Sequence, residues 1–213
     1  MEWKMNVSLV VPCFNEADNL PILINRCGKL VERYSVEVIL VDNGSTDDSS
    51  SLIAEYPHIK LVKISKNEGY GNGILQGLHS ATGDILAWTH ADLQTDPNDL
   101  IRGLQYFLNS DDPQRIFVKG KRYGRPFLDC MFTYGMSIFE TILLRKLLWD
   151  INAQPTIFHR SFFETWKNPP KDFSLDLFSY FMAKKSKLLI KRFPVEFSKR
   201  IHGQSNWNVS LLG

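Results

Sequence analysis

The feature that most constrains the fold is an alternation of short apolar runs with longer helix-forming segments. In chain order these runs and segments cover residues 7–11, 19–34, 37–41, 47–56, 59–64, 69–81 and 84–88. Continuous β-branched runs of this length predict strands that are buried on both faces of a sheet. Strands that alternate with helices predict an α/β fold with a mostly parallel central sheet and helices on its faces.

The second half of the chain continues this pattern less regularly. Its predicted helix, strand, long helix, strand, helix and strand cover about residues 97–108, 115–121, 128–148, 156–159, 176–184 and 187–196. The sequence has no internal repeat and no low-complexity linker, and 213 residues suit one large α/β domain. We therefore predict a single domain over residues 1–213.

Charge and cysteine content exclude several classes of protein. A net charge of +2 is too small to argue for nucleic-acid binding. Basic residues cluster late in the chain, at Lys184, Lys185, Lys187, Lys191, Arg192, Lys199 and Arg200. That cluster suits either a solvated helix face and strand flank or attraction to phosphates or an anionic membrane surface. Three widely spaced cysteines predict neither a disulfide framework nor a cysteine-based zinc site, which fits a reducing cytosol.

Hydropathy predicts no leader and no membrane span. Residues 1–11 lack the apolar region of a signal peptide, and no stretch of about 18 uninterrupted apolar residues occurs. The most apolar long segment, residues 127–149, is interrupted by charged side chains and predicts a buried or interfacial helix. We expect a cytoplasmic location, or a peripheral one at the inner face of the membrane.

Polar loops follow all four predicted strands of the first half. Ligands of open parallel sheets bind outside the carboxyl ends of the strands. The loops at that edge cover residues 12–16, 42–47, 66–73 and 89–94. They are rich in carboxylates, amides and glycines, and their convergence indicates a ligand site more strongly than any single loop does.

Individual residues in these loops allow two interpretations. Asp42 ends an apolar strand, where its carboxylate can accept hydrogen bonds from a base or a ribose, or can cap the following helix. The same alternatives apply to Glu16. Gly69, Gly71 and Gly73 can admit a phosphate at a helix start, although turns also use glycine.

The segment from His90 to Gln94 is the most informative of the loops. Alternate residues of an extended segment point the same way, so His90, Asp92 and Gln94 are expected to share one face. Together they offer nitrogen and oxygen ligands for Mg²⁺ or Mn²⁺, which could bridge a diphosphate and offset leaving-group charge. The alternative is a turn before the next helix, in which His90 is merely hydrogen-bonded.

These loops together resemble the motifs of the inverting glycosyltransferase family 2. The motifs are Pro12-Cys-Phe-Asn-Glu16, Val41-Asp-Asn-Gly-Ser-Thr-Asp47, Asn67-Glu-Gly-Tyr-Gly71, Thr82-Gly-Asp84 and Ala91-Asp-Leu-Gln-Thr-Asp-Pro97, in the family's order. The resemblance implies the GT-A fold, a Rossmann-like three-layer sandwich, with a donor-binding half at residues 1–100 and an acceptor-binding half at residues 101–213. It implies that a UDP- or GDP-sugar contacts Pro12, Asn15, Glu16, Asp42, Asn67, Gly71 and Asp84.

Within the family, the chain is most similar to the dolichyl-phosphate mannosyltransferase-like, polyprenyl-phosphate branch. The narrower likeness lies in Asp92-Leu-Gln94 and Arg200-Ile-His-Gly-Gln-Ser205. It implies that Asp92 and Gln94 hold the cation, with His90 where the family usually has an aspartate. It also implies that Arg122 grips an acceptor or donor phosphate, that Arg125 substitutes for a later phosphate-binding arginine, and that Asn152 and Gln154 meet the sugar or acceptor.

The mechanism implied is an in-line displacement at the anomeric carbon, with the metal and basic groups stabilising the departing nucleoside diphosphate. A polyprenyl phosphate acceptor is already an anion and needs no strong base. A hydroxyl acceptor needs such a base, and Asp176 is the candidate. The alternative is that Asp176 only stabilises the start of a helix through its negative charge. The alternatives are transfer to a saccharide hydroxyl, a nucleotide-sugar-binding protein without transferase activity, and a nucleotidyltransferase, which would usually have a glycine-rich basic loop after its first strand.

Overall fold

The seven strands of this computed structural model, which describes residues 5–125 and 127–202, form one sheet. The strands are β1 (Val7–Cys13), β2 (Glu37–Asn43), β3 (Lys60–Ile64), β4 (Ile85–Trp88), β5 (Ile116–Tyr123), β6 (Thr156–His159) and β7 (Leu189–Glu196). Their order is β3-β2-β1-β4-β6-β5-β7. Only β6 runs antiparallel to its neighbours, β4 and β5, so the predicted mostly parallel sheet is confirmed.

Helices cover both faces of this sheet. They are α1 (Leu20–Tyr34), α2 (Ser49–Ala54), α3 (Tyr70–Ser80), α4 (Asp99–Leu108), α5 (Phe127–Leu144), α6 (Arg160–Phe163) and α7 (Leu175–Lys185). Side chains alternate between the faces along a strand. Leu9 therefore packs in a core with α1 and α4, whereas Val10 packs in a second core with α3 and α7. The three-layer arrangement predicted from the sequence is confirmed.

The predicted elements match the observed ones to within a few residues, with two omissions. The sequence analysis did not predict α6 or the 3-10 turn Pro113–Arg115, because each is only about one helical turn long and shows no repeated pattern. The long helix ends at Leu144 rather than at residue 148, and Arg145 follows with a positive φ of 51°. Residues 203–205 of the late motif lie outside the described residues.

Helix α5 exposes much of its apolar surface to solvent. The exposed large side chains of the helix and of the segment after it are Met131, Tyr134, Met136, Ile138, Phe139, Ile142, Leu143 and Leu147. Ile142 is 73% exposed, which is unusual for an isoleucine in a globular domain. Of the two alternatives predicted for this segment, the interfacial helix fits this exposure. In the part of the chain that the structure describes, no helix has the length and apolarity that a bilayer crossing requires.

Candidate functional site

The loops after β1 and β2 are joined by hydrogen bonds between side chains and backbone. Asn15, at a positive φ of 55°, donates its backbone N–H to Ser45 Oγ at 3.0 Å and accepts the Thr46 N–H at its Oδ1 at 2.8 Å. The Ala17 N–H donates to Asp47 Oδ2 at 3.1 Å. Asparagine tolerates the left-handed backbone better than most residues. Asn15 therefore shapes the wall of the site, and its contact with a nucleotide stays a prediction.

Asp42 is buried at the end of β2, beside Cys13 at the end of β1. Its Oδ1 accepts the Ser45 N–H at 2.9 Å, which closes a turn within the loop. Helix α2 begins only at Ser49, after the N-cap Asp48, so the alternative that Asp42 caps this helix is wrong. A carboxylate offers about four lone-pair positions, and one such bond leaves capacity for a base or ribose. Pro12 lies at the same edge of the sheet and packs close to Gly73 of α3.

Charges in the loops after β1, β2 and β4 affect the pKa values of neighbouring groups. Burial raises the pKa of Glu16, the hydrogen bond from Asn19 at 2.6 Å lowers it, and the charge of Asp92 raises it again. Burial also raises the pKa of the Cys13 thiol well above its usual value, with further contributions from Glu16 and Asp42. Charges act on one another only over short distances in salt solution. The carboxylates of Glu16, Asp42 and Asp92 therefore lie near enough to affect the same groups, and their contact with a nucleotide stays a prediction.

The glycine loop before α3 approaches protein backbone. A Cβ atom at Gly71 would lie 2.6 Å from the Asp172 carbonyl oxygen, and one at Gly69 would lie 2.5 Å from the Lys171 carbonyl oxygen. The Lys171 carbonyl also accepts the Asn72 N–H at 2.8 Å, in the first turn of α3. The close approach that Gly69 and Gly71 permit is therefore to residues 170–172, and a phosphate at this helix start stays a prediction.

Two further predicted nucleotide ligands have different positions. Asn67 lies in the loop after β3, where its Oδ1 accepts hydrogen bonds from within the site. Asp84 is exposed and precedes β4, and its N–H donates to the Asn6 carbonyl at 2.8 Å. Because Ile85 pairs with Val7 at the start of β1, Asp84 lies at the amino ends of the strands, across the sheet from the loops. We therefore remove Asp84 from the predicted nucleotide site.

The three predicted metal ligands have partners within the protein. His90 Nε2 lies 2.9 Å from Tyr70 Oη. Asp92 Oδ1 accepts the Gln94 N–H at 3.2 Å, and Asp92 Oδ2 lies 3.0 Å from Arg200 Nη2. Arg200 Nε donates to Gln94 Oε1 at 3.2 Å. Asp92 and Gln94 therefore converge on one cationic group, the guanidinium of Arg200.

The positions of His90, Asp92 and Gln94 indicate whether these side chains suit a divalent cation. Two oxygen ligands already share one positive group, and an imidazole nitrogen lies two residues before the carboxylate. Such ligands are acceptable to Mn²⁺ and Mg²⁺. Residues 5–125 and 127–202 contain no group of three or more His, Cys, Asp or Glu side chains suited to a metal. A cation held by this set would therefore depend on the amide of Gln94 as well.

The chain after β7 lies across the loop after β4. The Ser198 N–H donates to the Gln94 carbonyl at 2.8 Å, and Gln94 Nε2 donates to the Ser198 carbonyl at 3.2 Å. The guanidinium carbons of Arg122 and Arg125 lie 5.1 and 5.6 Å from the centre of the Phe197 ring, within cation–π range. Only a few residues of chain therefore separate these two arginines from the predicted cation loop.

Arg122 and Arg125 belong to a cluster of three arginines around one buried aspartate. Asp150 accepts hydrogen bonds from Arg122 Nε at 2.7 Å and from the Arg122 N–H at 2.9 Å. Arg192 and Arg125 approach the same carboxylate at 3.6 and 3.8 Å. Burial acts to raise the pKa of Asp150, but the charge and hydrogen bonds of Arg122 outweigh it and the pKa lies below its usual range. Among the described side chains of this cluster, three arginines thus face one carboxylate, an excess of positive charge that suits a phosphate.

Asp176 and Gln154 belong to a second buried cluster. Asp176 Oδ1 lies 3.2 Å from Lys119 Nζ and accepts Gln154 Nε2 at 2.8 Å. Lys119 Nζ also donates to Thr156 Oγ1 at 2.7 Å. All four side chains are almost fully buried, and burial lowers the pKa of Lys119 to about 8. Asp176 is 2% exposed and already paired, so this geometry disfavours it as a base for an acceptor hydroxyl.

Three residues of the site were not singled out from the sequence, namely Tyr70, Lys119 and Asp150. Lys119 could have been recognised from the sequence, because it is a charged residue inside the apolar run that forms β5. A lysine there has to be paired or exposed, and a partner was therefore predictable, although its identity was not. Tyr70 and Asp150 left no such signal, since a tyrosine at a helix start and an aspartate in a loop are ordinary.

Solved structures with a similar fold include several complexes of glucosyl-3-phosphoglycerate synthase from Mycobacterium tuberculosis. The complex with Mn²⁺, UDP and phosphoglyceric acid aligns with a TM-score of 0.76 and 18% identity, over 94% of this chain and 72% of that one. The complex with Mg²⁺ and UDP gives 0.74 and 17%, over 94% and 73%. At such low identity the likeness establishes the fold, and these neighbours are GT-A glycosyltransferases.

Curated relatives include undecaprenyl-phosphate 4-deoxy-4-formamido-L-arabinose transferases from several bacteria. The protein from Pectobacterium atrosepticum is 38% identical over 110 residues, which cover 47% of this chain and 33% of the relative. The one from Enterobacter sp. is 41% identical over 105 residues, which cover 45% and 32%. The match thus extends over about a third of the length of these relatives.

The family match covers most of the chain. The sequence profile described as glycosyl transferase family 2 aligns with residues 8–185, which include β1 to β6 and all seven helices. This range contains the strand-end loops, the Asp150 cluster and Asp176. The chain belongs to glycosyltransferase family 2.

Proposed function

We propose that this chain moves a sugar from a nucleotide diphosphate sugar onto a polyprenyl phosphate, with inversion at the anomeric carbon. The observation that carries the proposal is the adjacency of two charged groups at one edge of the sheet. Phe197 lies beside the guanidinium groups of Arg122 and Arg125, and Arg200 pairs with Asp92. Three residues of extended chain span at most about 11 Å, so phosphates bound at the two groups can meet.

The donor side of this proposal rests on the loops after β1, β2 and β4. Glu16 and Asp42 offer carboxylate acceptors to a nucleoside, beside Pro12 and Asn15. Asp92, with Gln94 and His90, would hold Mg²⁺ or Mn²⁺. When bound, the cation would offset the charge that develops on the departing diphosphate. The mycobacterial structures, which are complexes with Mn²⁺ or Mg²⁺ and UDP, support this assignment and favour a UDP-sugar over a GDP-sugar.

The acceptor side rests on the arginine cluster. Arg122 and Arg125 can bind a phosphate through charge-assisted hydrogen bonds while Asp150 fixes their positions. A phosphate oxygen is already a nucleophile, which agrees with the burial and pairing of Asp176. The Pectobacterium and Enterobacter relatives are undecaprenyl-phosphate transferases by name, which supports a polyprenyl phosphate as the acceptor.

We further propose that the exposed apolar face of α5 lies on the membrane that holds this acceptor. The helix presents Ile138, Phe139, Ile142 and Leu143 to solvent, and the exposed pair Arg145-Lys146 follows it. A helix that combines an apolar face with adjacent basic residues binds anionic lipid surfaces in the plane of the interface. Arg125 lies two residues before α5, so the helix would bring the acceptor phosphate to the arginine cluster.

The proposed reaction is tested by radiolabel transfer. Purified protein is incubated with Mn²⁺, labelled UDP-sugars and undecaprenyl phosphate in detergent. The expected product is organic-extractable, acid-labile and dependent on the cation, because the new bond is a glycosyl phosphate. Label that appears only in a water-soluble, acid-stable product would contradict the proposal and favour a hydroxyl acceptor.

Membrane binding is tested by sedimentation with phosphatidylglycerol-containing vesicles. The double substitution Ile142→Ser and Leu143→Ser is expected to weaken binding about tenfold or more, because each change removes a large apolar side chain from the interface without adding charge. The control is Leu189→Ser, which changes an exposed apolar residue at the start of β7, away from α5; Leu189 is 49% exposed, against 73% for Ile142 and 66% for Leu143. Equal binding by the wild-type protein and the α5 variant would contradict the proposed orientation.

A further inference from the structure

Arg192 donates hydrogen bonds to backbone carbonyl groups on two separate segments of the chain. Its Nε donates to the Gly120 carbonyl of β5 at 3.0 Å, and its Nη2 donates to the same carbonyl. Its Nη2 also donates to the Asp150 carbonyl at 3.2 Å, and its Nη1 donates to the Trp149 carbonyl. All three guanidinium nitrogens therefore bind main-chain oxygen atoms, although the side chain itself belongs to a third segment, β7.

The segment that Arg192 reaches packs directly on the backbone of β5. The Gly120 N–H donates to the Pro155 carbonyl at 3.1 Å. A Cβ atom at Gly120 would lie only 2.1 Å from the Gln154 carbonyl oxygen, so no side chain fits between the strand and this segment. The ring of Tyr180, in α7, lies 5.8 Å from the guanidinium carbon of Arg192. Arg192 therefore joins two segments that already touch, and an aromatic ring packs against it from a third side.

Arg192 and Arg122 use their hydrogen-bond donors differently. An arginine has five N–H groups. The described contacts of Arg122 with the Asp150 side chain come from Nε at 2.7 Å and from Nη2, and they leave further N–H groups for a phosphate. Arg192 directs hydrogen bonds from all three of its nitrogens to carbonyl groups. Of these two arginines, Arg122 is thus the one equipped to bind an anion.

We infer that Arg192 is a positioning residue that holds residues 149–150 against β5 and thereby fixes the Asp150 carboxylate that orients Arg122. Asp150 accepts the Arg122 backbone N–H at 2.9 Å as well as its Nε–H, so a shift of Asp150 would redirect the Arg122 side chain. A misplacement of about 1 Å can lower a rate about 100-fold. The effect on sugar transfer rests on the proposed function, whereas the hydrogen bonds of Arg192 do not.

The substitution Arg192→Lys separates this role from a role of charge alone. Arg192 also lies 3.6 Å from Asp150 Oδ2, so its charge could by itself help to balance the carboxylate. Lysine keeps that charge, but its ammonium is a compact point charge and does not reproduce the planar fork of a guanidinium. Lysine is therefore expected to fail as a replacement if the three carbonyl groups have to be held together.

The hydrogen bonds can be measured in the wild-type protein without metal, donor or acceptor. Proton–nitrogen NMR follows the exchange of each arginine Nε–H with water, and each signal is assigned by its loss in the corresponding lysine variant. The reference is Arg102, whose side chain is 52% exposed and pairs with Asp99 through Nη1. We expect the Arg192 Nε–H to exchange at least about tenfold more slowly than that of Arg102. Equal exchange would overturn the inference, whether or not any variant folds.

In Arg192→Lys, the Arg122 Nε–H is expected to exchange faster, because its acceptor Asp150 is no longer held. The kcat/KM for undecaprenyl phosphate is expected to fall about tenfold or more, while the affinity for UDP with Mn²⁺ stays within about threefold of wild type. The matched control is Arg102→Lys. Arg102 also pairs with a carboxylate and packs on an aromatic ring, that of Phe193 at 5.2 Å, but lies outside the arginine cluster. It should leave all three quantities unchanged.

Thermal unfolding establishes that each variant is folded. Unchanged Arg122 exchange and wild-type transfer in folded Arg192→Lys would show that a positive charge suffices, and would overturn the positioning role. An equal fall in UDP affinity and in kcat/KM for the acceptor would indicate a general loss of structure and would also overturn it. Absence of transfer in the wild-type protein would contradict the proposed function, and the Arg122 exchange would still decide whether Arg192 positions Asp150.

Discussion

Replacing Asp92 with asparagine is expected to lower the rate of sugar transfer by about 100- to 1000-fold, which is typical for the loss of one group that stabilises transition-state charge. Asp92 is the single carboxylate among the three predicted cation ligands, and its Oδ2 already attracts the positive group of Arg200 at 3.0 Å. Asparagine retains an oxygen that can accept the Gln94 N–H, so the loop conformation should survive. The change thus removes charge while largely preserving shape.

The measurement compares initial rates of transfer with saturating donor, together with Mn²⁺ affinity of the same preparations. The control is Asp96→Asn, which removes a carboxylate four residues further along the same loop. Asp96 is about half exposed and pairs with Arg26 rather than with Arg200. A rate within about threefold of wild type for Asp92→Asn, or an equal fall for both variants, would contradict the assignment of Asp92.

The donor half of the fold was predictable because its signals are local. Each buried strand is a continuous apolar run, and side chains such as Leu9 and Val10 alternate between the two helical layers. A parallel sheet then places the loops that follow its strands at one edge without any knowledge of tertiary contacts. This is why the convergence of Glu16, Asp42 and Asp92 was visible in the sequence.

The remaining features depend on contacts between distant residues, which a single sequence does not encode in its local pattern. The sequence could not show that Gly69 and Gly71, at the start of α3, lie against the backbone of residues 170–172, a hundred positions away. Asp84 stands in a family-like motif, yet its strand begins rather than ends there. The partners of Lys119 and Asp150 likewise come from later elements of the fold.

The second large effect expected from this structure is a loss of stability when Asp150 is replaced. Asp150→Asn should lower the free energy of unfolding by about 3–5 kcal/mol, the range for removal of one partner from a buried ion pair. The side chain is only 5% exposed, and asparagine would remove its negative charge from between Arg122, Arg125 and Arg192. Urea unfolding monitored by tryptophan fluorescence measures the change.

The pH dependence of this effect has a definite sign. The pKa of Asp150 is lowered in the folded protein, so its stabilising contribution is present above the ordinary aspartate pKa of about 3.9 and is lost as the pH falls through the lower folded value. The difference between wild type and Asp150→Asn should therefore stay constant from about pH 5 to 8 and shrink in acid. Asp111→Asn is the control, because Asp111 is exposed in the turn after α4 and lies outside the arginine cluster.

A second substitution separates lost attraction from uncompensated repulsion. Arg122→Gln in the wild-type protein breaks the closest pair of the cluster and should destabilise it. In the Asp150→Asn background the same change removes one of three mutually repelling charges, so it should cost less or even restore stability. Residues in one charged network are expected to be non-additive by about 0.5–3 kcal/mol. Additive effects of the two changes would mean that Asp150 is not the anion that holds the arginines together, and the proposed acceptor site would lose its structural basis.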